Sequence, residues 1–130
     1  MPSTQLPSAA GCVLQDAGTE WDVIRVPRQT GLAAMAILGP RCGAVVEAGD
    51  SRAVLYFFVP RGTANSWELD NTKALGLGSS VTIPPPRRTQ GPGPHWRMCP
   101  GEDRLLTNAD ALHAALADAF GPRLGEEQAG

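Results

Sequence analysis

The sequence contains few cysteines and no long apolar run. Its three cysteines, Cys12, Cys42 and Cys99, form no C-x-x-C pair, and such an odd set does not indicate a disulfide framework. Residues Met1 to Ala10 lack the basic region and the apolar run of a secretory signal. No stretch approaches the roughly 18 consecutive apolar residues of a membrane helix. These absences predict a reduced, cytoplasmic protein without a membrane partner.

The sequence also lacks an excess of positive charge. It carries 11 basic and 13 acidic residues, which gives a formal net charge of −2 at pH 7. This balance provides no global positive field to attract nucleic acid or an anionic membrane, so any nucleic-acid site must be local. The length of 130 residues suits one domain, because it is too short for a core plus a separate catalytic lobe.

The chain alternates β-rich runs with two segments of helical spacing. The β-rich runs end at Gly and Pro, and the helical segments repeat apolar residues every three or four positions. We expect strands at 20–26, 43–48, 52–59, 72–77, 80–83 and 95–98, and helices at 28–38 and from 107 or 108 to 120. This order predicts one α+β domain at 20–122, with a mostly antiparallel five- to six-stranded sheet and two main helices packed against it. The ends, 1–19 and 123–130, are expected to be a flexible leader and a flexible tail.

The third predicted strand is almost wholly apolar. A run such as Ala53 to Val59 has no polar face, which predicts a central strand with both sides covered. Phe57 and Phe58 must point to opposite faces, so a helix, the leader or a partner has to cover at least one of them. In the connection that follows, Thr63 is expected to cap a short turn that ends near Trp67.

Acidic and glycine-rich segments are interpreted as structural. Glu20 and Asp22 share one face of the first strand, and solvated edge charges that discourage strand pairing explain them better than an acidic pocket with Glu47. The segment Gly76 to Ser80 contains a G-x-G pattern, but it has no Lys and no helix follows. We therefore expect a turn rather than a phosphate-binding loop.

The densest cluster of cations with an aromatic ring is the candidate binding site. It consists of Arg87, Arg88, His95, Trp96 and Arg97. In a single-strand binder, such arginines hold a phosphate while the indole stacks a base. The alternative, which we prefer, is a solvated loop with Trp96 half in the core.

No metal site or catalytic site is assigned. Cys42, Cys99, His95 and His113 are the candidate zinc ligands, but only His95 and Cys99 have a ligand-like spacing. Cys99 as a nucleophile with His95 as its base needs an oxyanion donor that the sequence does not show. We therefore predict no metal, no cofactor and no catalytic residue.

Several segments together resemble a known family. The segments WDVIRV, GLAAMAIL, RAVLYFFVP, LGLGSSVTIPPPRRT and HWRM, at roughly 20–120, resemble bifunctional DNA primase/polymerase N-terminal (PrimPol-like) domains in a degenerate actinobacterial form. In active members of that family, paired acids on the first strand hold divalent metals, and the strand that corresponds to RAVLYFFVP carries a His. Here Arg25 and Pro27 occupy the region of the acids and Val54 that of the His. Because two-metal phosphoryl transfer needs carboxylates, the resemblance implies a fold without polymerase chemistry.

These observations favour a non-catalytic regulatory or scaffold protein that acts through a protein partner. Its partner surface is expected to include the loop at 84–94, because a preformed polyproline segment loses little entropy on docking. The alternative is a nucleic-acid or nucleotide-binding domain that uses the cluster at 87–97. A second copy of the chain, in a homodimer, is another candidate partner.

Overall fold

The computed structural model describes residues 12–49, 53–90, 93–100 and 105–129. In these ranges the strands are β1 (Val13–Asp16), β2 (Trp21–Pro27), β3 (Val45–Ala48), β4 (Val54–Pro60), β5 (Lys73–Leu75), β6 (Ser80–Ile83) and β7 (His95–Met98). The α-helices are α1 (Arg28–Leu38) and α2 (Ala109–Ala129), and short 3₁₀ turns lie at Gly39–Arg41 and Thr63–Asn65.

The strands form two antiparallel sheets. The larger sheet has the order β5-β2-β4-β3-β7, and β1 pairs with β6 in a separate two-stranded ribbon. The predicted hairpin is confirmed, because β3 pairs antiparallel with β4. The sequence-based fold class is also confirmed: this is an α+β domain with an antiparallel five-stranded sheet and two helices.

One face of the larger sheet packs against both helices. Phe57 and Leu55 from β4 are fully buried there with Leu38 from α1 and Leu116 from α2. Each fully buried side chain of this size contributes roughly 1.5–3 kcal/mol through the hydrophobic effect. Gly31 lets α1 approach β4, since a Cβ atom at this position would lie 2.5 Å from Leu55 Cδ1.

The second face of the sheet has its own apolar core under the ribbon. Phe58 packs there edge-to-face against Trp21, with ring centroids 4.8 Å apart. Trp96 from β7 and Val81 from β6 complete this cluster. Both phenylalanines of β4 are therefore covered, one by the helices and the other by the ribbon side, as a central strand requires.

The helix ends agree in part with the sequence. α1 runs from Arg28 to Leu38 as predicted, and Asn108 caps α2 by accepting a hydrogen bond from the Ala111 amide at 2.9 Å. The expected stop of α2 at 121–122 is wrong, because the helix continues to Ala129. The residues after Pro122 are mostly strong helix formers, which favours continuation even though proline removes one amide donor.

The segment expected as a flexible leader contributes a strand in its described part. β1 pairs with β6 from Val13↔Ile83 to Asp16↔Ser80, and all four of its residues are exposed. A short strand that buries so little leaves no apolar alternation in the sequence.

None of the helices in the described ranges combines the length and apolar composition that a membrane crossing requires.

Candidate functional site

Asp22 is a buried acid near the start of a central strand. The residue is only 2 % exposed, and β2 lies between β5 and β4. The interpretation of Asp22 as a solvated edge charge is therefore wrong. The reason is long-range, because the connection after β4 folds back over this end of β2 and places its backbone against the carboxylate.

One oxygen of this carboxylate holds the connection in place. Asp22 Oδ2 accepts hydrogen bonds from the Gly62 amide at 3.0 Å and from the Ala64 amide at 2.8 Å. Gly62 has a φ of 94°, a left-handed conformation that glycine adopts without strain. Thr63 lies in the 3₁₀ turn but does not cap it, because its hydroxyl donates to the Pro60 carbonyl at 2.6 Å.

The other oxygen, Oδ1, accepts no hydrogen bond from the described residues. It faces Gly76, where a Cβ atom would lie 3.7 Å from Oδ1. Both residues line one cavity of about 460 Å³, within the usual range for small-molecule sites. The cavity is lined by Gly18, Thr19, Asp22, Arg61, Gly62, Asn65, Gly76 and Leu77.

Gly18 allows the backbone at Leu77 to pack closely against the turn before β2. Gly18 has a φ of 92°, and a Cβ atom there would lie 2.5 Å from the Leu77 amide nitrogen. This position therefore requires glycine. The predicted turn at 76–80 is present, since the Ser79 amide donates to the Gly76 carbonyl at 3.0 Å.

Among the described residues that line this cavity, one is an acid and one is a base. Within the described part of the chain, no Arg, Lys or His nitrogen forms an ion pair with Asp22. Arg61 lines the cavity and is exposed, and its guanidinium donates to the Thr19 carbonyl at 3.3 Å. The cavity thus offers a buried negative charge and a positive charge with unused donors.

The predicted binding cluster does not present its aromatic ring to a ligand. Trp96 is 5 % exposed, and its indole nitrogen donates to the Pro85 carbonyl at 3.0 Å. Its ring packs in the second core near Phe58, with ring centroids 6.1 Å apart. Arg87 is exposed, whereas the Arg88 guanidinium is 3.7 Å from Cys12 Sγ.

His95 and Arg97 lie instead beside Glu47. The Glu47 carboxylate accepts a hydrogen bond from Arg28 Nε at 3.0 Å, and its Oε1 is 3.8 Å from His95 Nε2 and 3.6 Å from Arg97 Nη1. Glu47 Oε1 is buried and accepts no hydrogen bond from the described residues. The Glu47 carboxylate neutralises part of the positive charge of Arg28 and Arg97. These residues therefore attract a phosphate less strongly.

The polyproline segment covers the edge of the sheet. Pro84 is buried, and the Pro85 carbonyl accepts hydrogen bonds from the Arg88 amide and the Trp96 indole. The Trp96 amide donates in turn to the Arg88 carbonyl at 2.8 Å. Of the 84–94 loop, positions 91 and 92 lie outside the described residues.

The candidate zinc ligands occupy different environments. Cys42 is buried, and burial raises the pKa of its thiol, an effect that the hydrogen bond with Thr107 partly opposes. Cys99 is exposed, and His113 Nε2 bonds the Glu68 carbonyl at 3.1 Å. The described ranges contain no group of three or more His, Cys, Asp or Glu placed to hold a metal ion.

A second cavity, of about 510 Å³, lies where the primase/polymerase resemblance placed the missing acids and His. Its lining includes Arg25, Pro27, Val54 and Lys73, and Arg25 is the cross-strand neighbour of Lys73. Both cations are exposed, so water solvates them without a ligand. This cavity therefore makes a weaker case for a ligand than the cavity at Asp22.

The sequence carried only a slight signal for the Asp22 site. Asp22 is the one acid in the strand WDVIRVP, but the glycines that face it come from segments about 40 and 54 residues further along the chain. No pattern within one segment shows that these segments meet. No family model, no curated protein and no solved structure matches this chain.

Proposed function

We propose that this chain is a binding domain for a small polar ligand, with its site in the cavity at Asp22. A single observation carries the proposal. The Asp22 carboxylate is almost completely buried, and its Oδ1 faces the cavity without a hydrogen bond from any described residue.

The energetics of a buried carboxylate support a ligand. The two amides that bond Oδ2 account for the structural role of Asp22 in holding the 62–64 turn. Oδ1 has lost most of its contact with water without gaining a donor from the described residues, and such an exchange costs free energy. A ligand that donates to Oδ1 recovers this cost, which is how a few placed polar groups give a cavity its specificity.

The test is a fragment screen read by amide chemical shifts. We expect saturable shifts centred on Gly62, Ala64 and Gly76 for fragments that carry hydrogen-bond donors. The blocking variant is Gly76→Ala, which places a methyl group 3.7 Å from Asp22 Oδ1 and 3.1 Å from Ala64 Cβ. We expect it to lose the shifts.

The matched control is Gly78→Ala. It changes the same turn and is strained by the φ of 92°, but its methyl group meets nothing within 4 Å and Gly78 does not line the cavity. This variant should keep the ligand shifts. Fragments that bind only elsewhere, or that bind the Gly76→Ala variant equally well, would contradict the proposal.

A second candidate function is the docking of a protein partner through the free edge of β1. In the described ranges β1 pairs only with β6, and it presents Val13 at 54 % and Leu14 at 71 % exposure. An exposed edge with apolar side chains is a template for strand addition. The occupant that fits is an extended segment of a partner with alternating apolar residues.

A photo-crosslinking residue at position 14 tests this second candidate, because it captures the partner segment that binds beside β1. The captured segment, made as a synthetic peptide, should protect the β1 amides from hydrogen exchange. Leu14→Lys should abolish that protection, because a lysine on an edge strand opposes pairing. Protection that maps to another strand, or that survives Leu14→Lys, would exclude the β1 edge.

The primase/polymerase resemblance and the nucleic-acid alternative remain proposals. The order of the quoted segments supports the first, and the exposed Arg87 and Arg97 support the second. The buried indole of Trp96 offers no open face for a base. A titration with short single-stranded DNA tests both. Saturable amide chemical-shift changes at 87–97 would support them, and unchanged shifts there would contradict them.

A further inference from the structure

We infer that the Asp22 cavity selects a ligand in which an organic ammonium group lies next to a carboxylate, as in an α-amino acid. This inference rests on the proposed function and names the ligand class for the same site. Two charges carry it: Asp22 inside the cavity and Arg61 on its lining.

The ammonium group is inferred from the unpaired charge of Asp22. Its neighbours at Oδ2 are neutral backbone amides, and no cationic side chain in the described ranges pairs with it. Buried carboxylates in proteins are normally paired with a cation or bound to a metal. An ammonium ligand supplies both a positive charge and donors for Oδ1.

The carboxylate is inferred from Arg61. Within the described ranges its side chain forms one hydrogen bond, to the Thr19 carbonyl, and a guanidinium has five donors in a planar fork. No acid in the described part of the chain forms an ion pair with Arg61. Arg61 therefore retains donors in the geometry that binds a carboxylate with two parallel hydrogen bonds.

Other ligand classes fit these charges less well. A metal ion needs several oxygen ligands, and among the described residues Asp22 is the only acid on the lining of this cavity. A ligand with only negative charge would be repelled by Asp22. Leu77, at 83 % exposure on the same lining, offers an apolar contact to the side chain of an amino acid.

The inference is tested with three probes that share the leucine side chain: L-leucine, L-leucinamide and N-acetyl-L-leucine. L-leucine carries both charges, the amide lacks the carboxylate, and the acetyl derivative lacks the ammonium group. Titrations of the full chain at neutral pH, followed by the amide shifts of Gly62 and Gly76, give three dissociation constants. We expect N-acetyl-L-leucine to bind about tenfold or more weakly than L-leucine, and L-leucinamide severalfold more weakly.

Variants of two exposed arginines assign the carboxylate contact. Arg61→Gln should remove the difference between L-leucine and L-leucinamide, whereas Arg87→Gln, on a residue outside the cavity lining, should leave it unchanged. Asp22→Asn should abolish binding of both probes that carry the ammonium group. Asp22 also holds the 62–64 turn, so this variant can lose binding through a change in structure. The three-probe comparison on the unmodified chain therefore tests, without this variant, whether the ammonium group contributes to binding.

The outcomes separate the inference from the proposed function. If N-acetyl-L-leucine binds as tightly as L-leucine, or if only neutral fragments bind the cavity, the ligand class is overturned while the binding site stands. If no probe or fragment shifts the cavity amides, both are overturned. Equal loss in the Arg61→Gln and Arg87→Gln variants would remove Arg61 from the site.

Discussion

Asp22 holds the turn at Gly62 and Ala64 through two hydrogen bonds to one carboxylate oxygen. Asparagine at this position retains a carbonyl oxygen for both amides, whereas alanine leaves both without an acceptor. We expect Asp22→Ala to lower the free energy of unfolding by about 1–3 kcal/mol and Asp22→Asn to lower it less. Urea denaturation of the two variants measures the difference. Equal losses would show that the negative charge, rather than the hydrogen bonds, holds the turn.

Cys42 makes stability depend on pH at the alkaline end. Burial raises the pKa of its thiol above the ordinary value of 9.0, and the hydrogen bond with Thr107 lowers it by less. As the pH rises, the thiol therefore ionises first in the unfolded chain. The stabilising contribution is complete below pH 9.0 and is lost as the pH rises through the raised pKa of the folded state.

We therefore expect the free energy of unfolding to fall more steeply above pH 9.0 in the unmodified chain than in Cys42→Ala. Urea denaturation at a series of pH values from neutral upwards gives both curves. The alanine variant loses some packing at every pH, so the comparison is between slopes. Parallel curves would contradict a thiol that is kept protonated by burial.

At the scale of elements, the contact between α1 and β4 depends on Gly31. Alanine within a helix usually stabilises it by roughly 0.5–1 kcal/mol relative to glycine. Here the added Cβ would lie 2.5 Å from Leu55 Cδ1 and 3.1 Å from Leu55 Cγ, and Leu55 is fully buried. We expect the cost of overpacking to exceed the gain in helix propensity, so that Gly31→Ala lowers the free energy of unfolding by about 1–3 kcal/mol.

A double-mutant cycle with Leu55→Ala identifies the cause. Leu55→Ala alone should cost about 2–5 kcal/mol, because it leaves a cavity in the core. In that background the methyl group at position 31 has space, so Gly31→Ala should become neutral or stabilising. An unchanged loss in both backgrounds would show that Leu55 is not the obstacle.

The same elements show what local pattern can predict. α1 and the hairpin of β3 and β4 followed from apolar spacing and from Gly and Pro at their ends, because these signals lie within each segment. β1 was missed, since a strand with four exposed residues leaves no alternation. The Asp22 site was missed for a different reason: it depends on hydrogen bonds to residues 40 and 42 positions away.

At the scale of the whole molecule, β4 joins two cores. Phe57 belongs to the core under the helices, and Phe58 to the core on the ribbon side. Successive residues of one strand thus bury side chains on opposite faces. Unfolding of β4 therefore removes buried side chains from both cores at once. This arrangement predicts a single cooperative unfolding transition for both sides of the sheet.

Tryptophans on the two sides allow that prediction to be measured. Trp67 packs against the helix-side core, whereas Trp21 and Trp96 lie in the second core. In a Trp67→Phe background, fluorescence therefore reports the second core alone. Leu116→Ala weakens only the helix side, at a cost of about 2–5 kcal/mol. We expect its urea midpoint to fall equally by this fluorescence and by far-ultraviolet circular dichroism. A fluorescence midpoint that stays in place while the dichroism midpoint falls would show that the second core survives alone and that β4 does not couple the two.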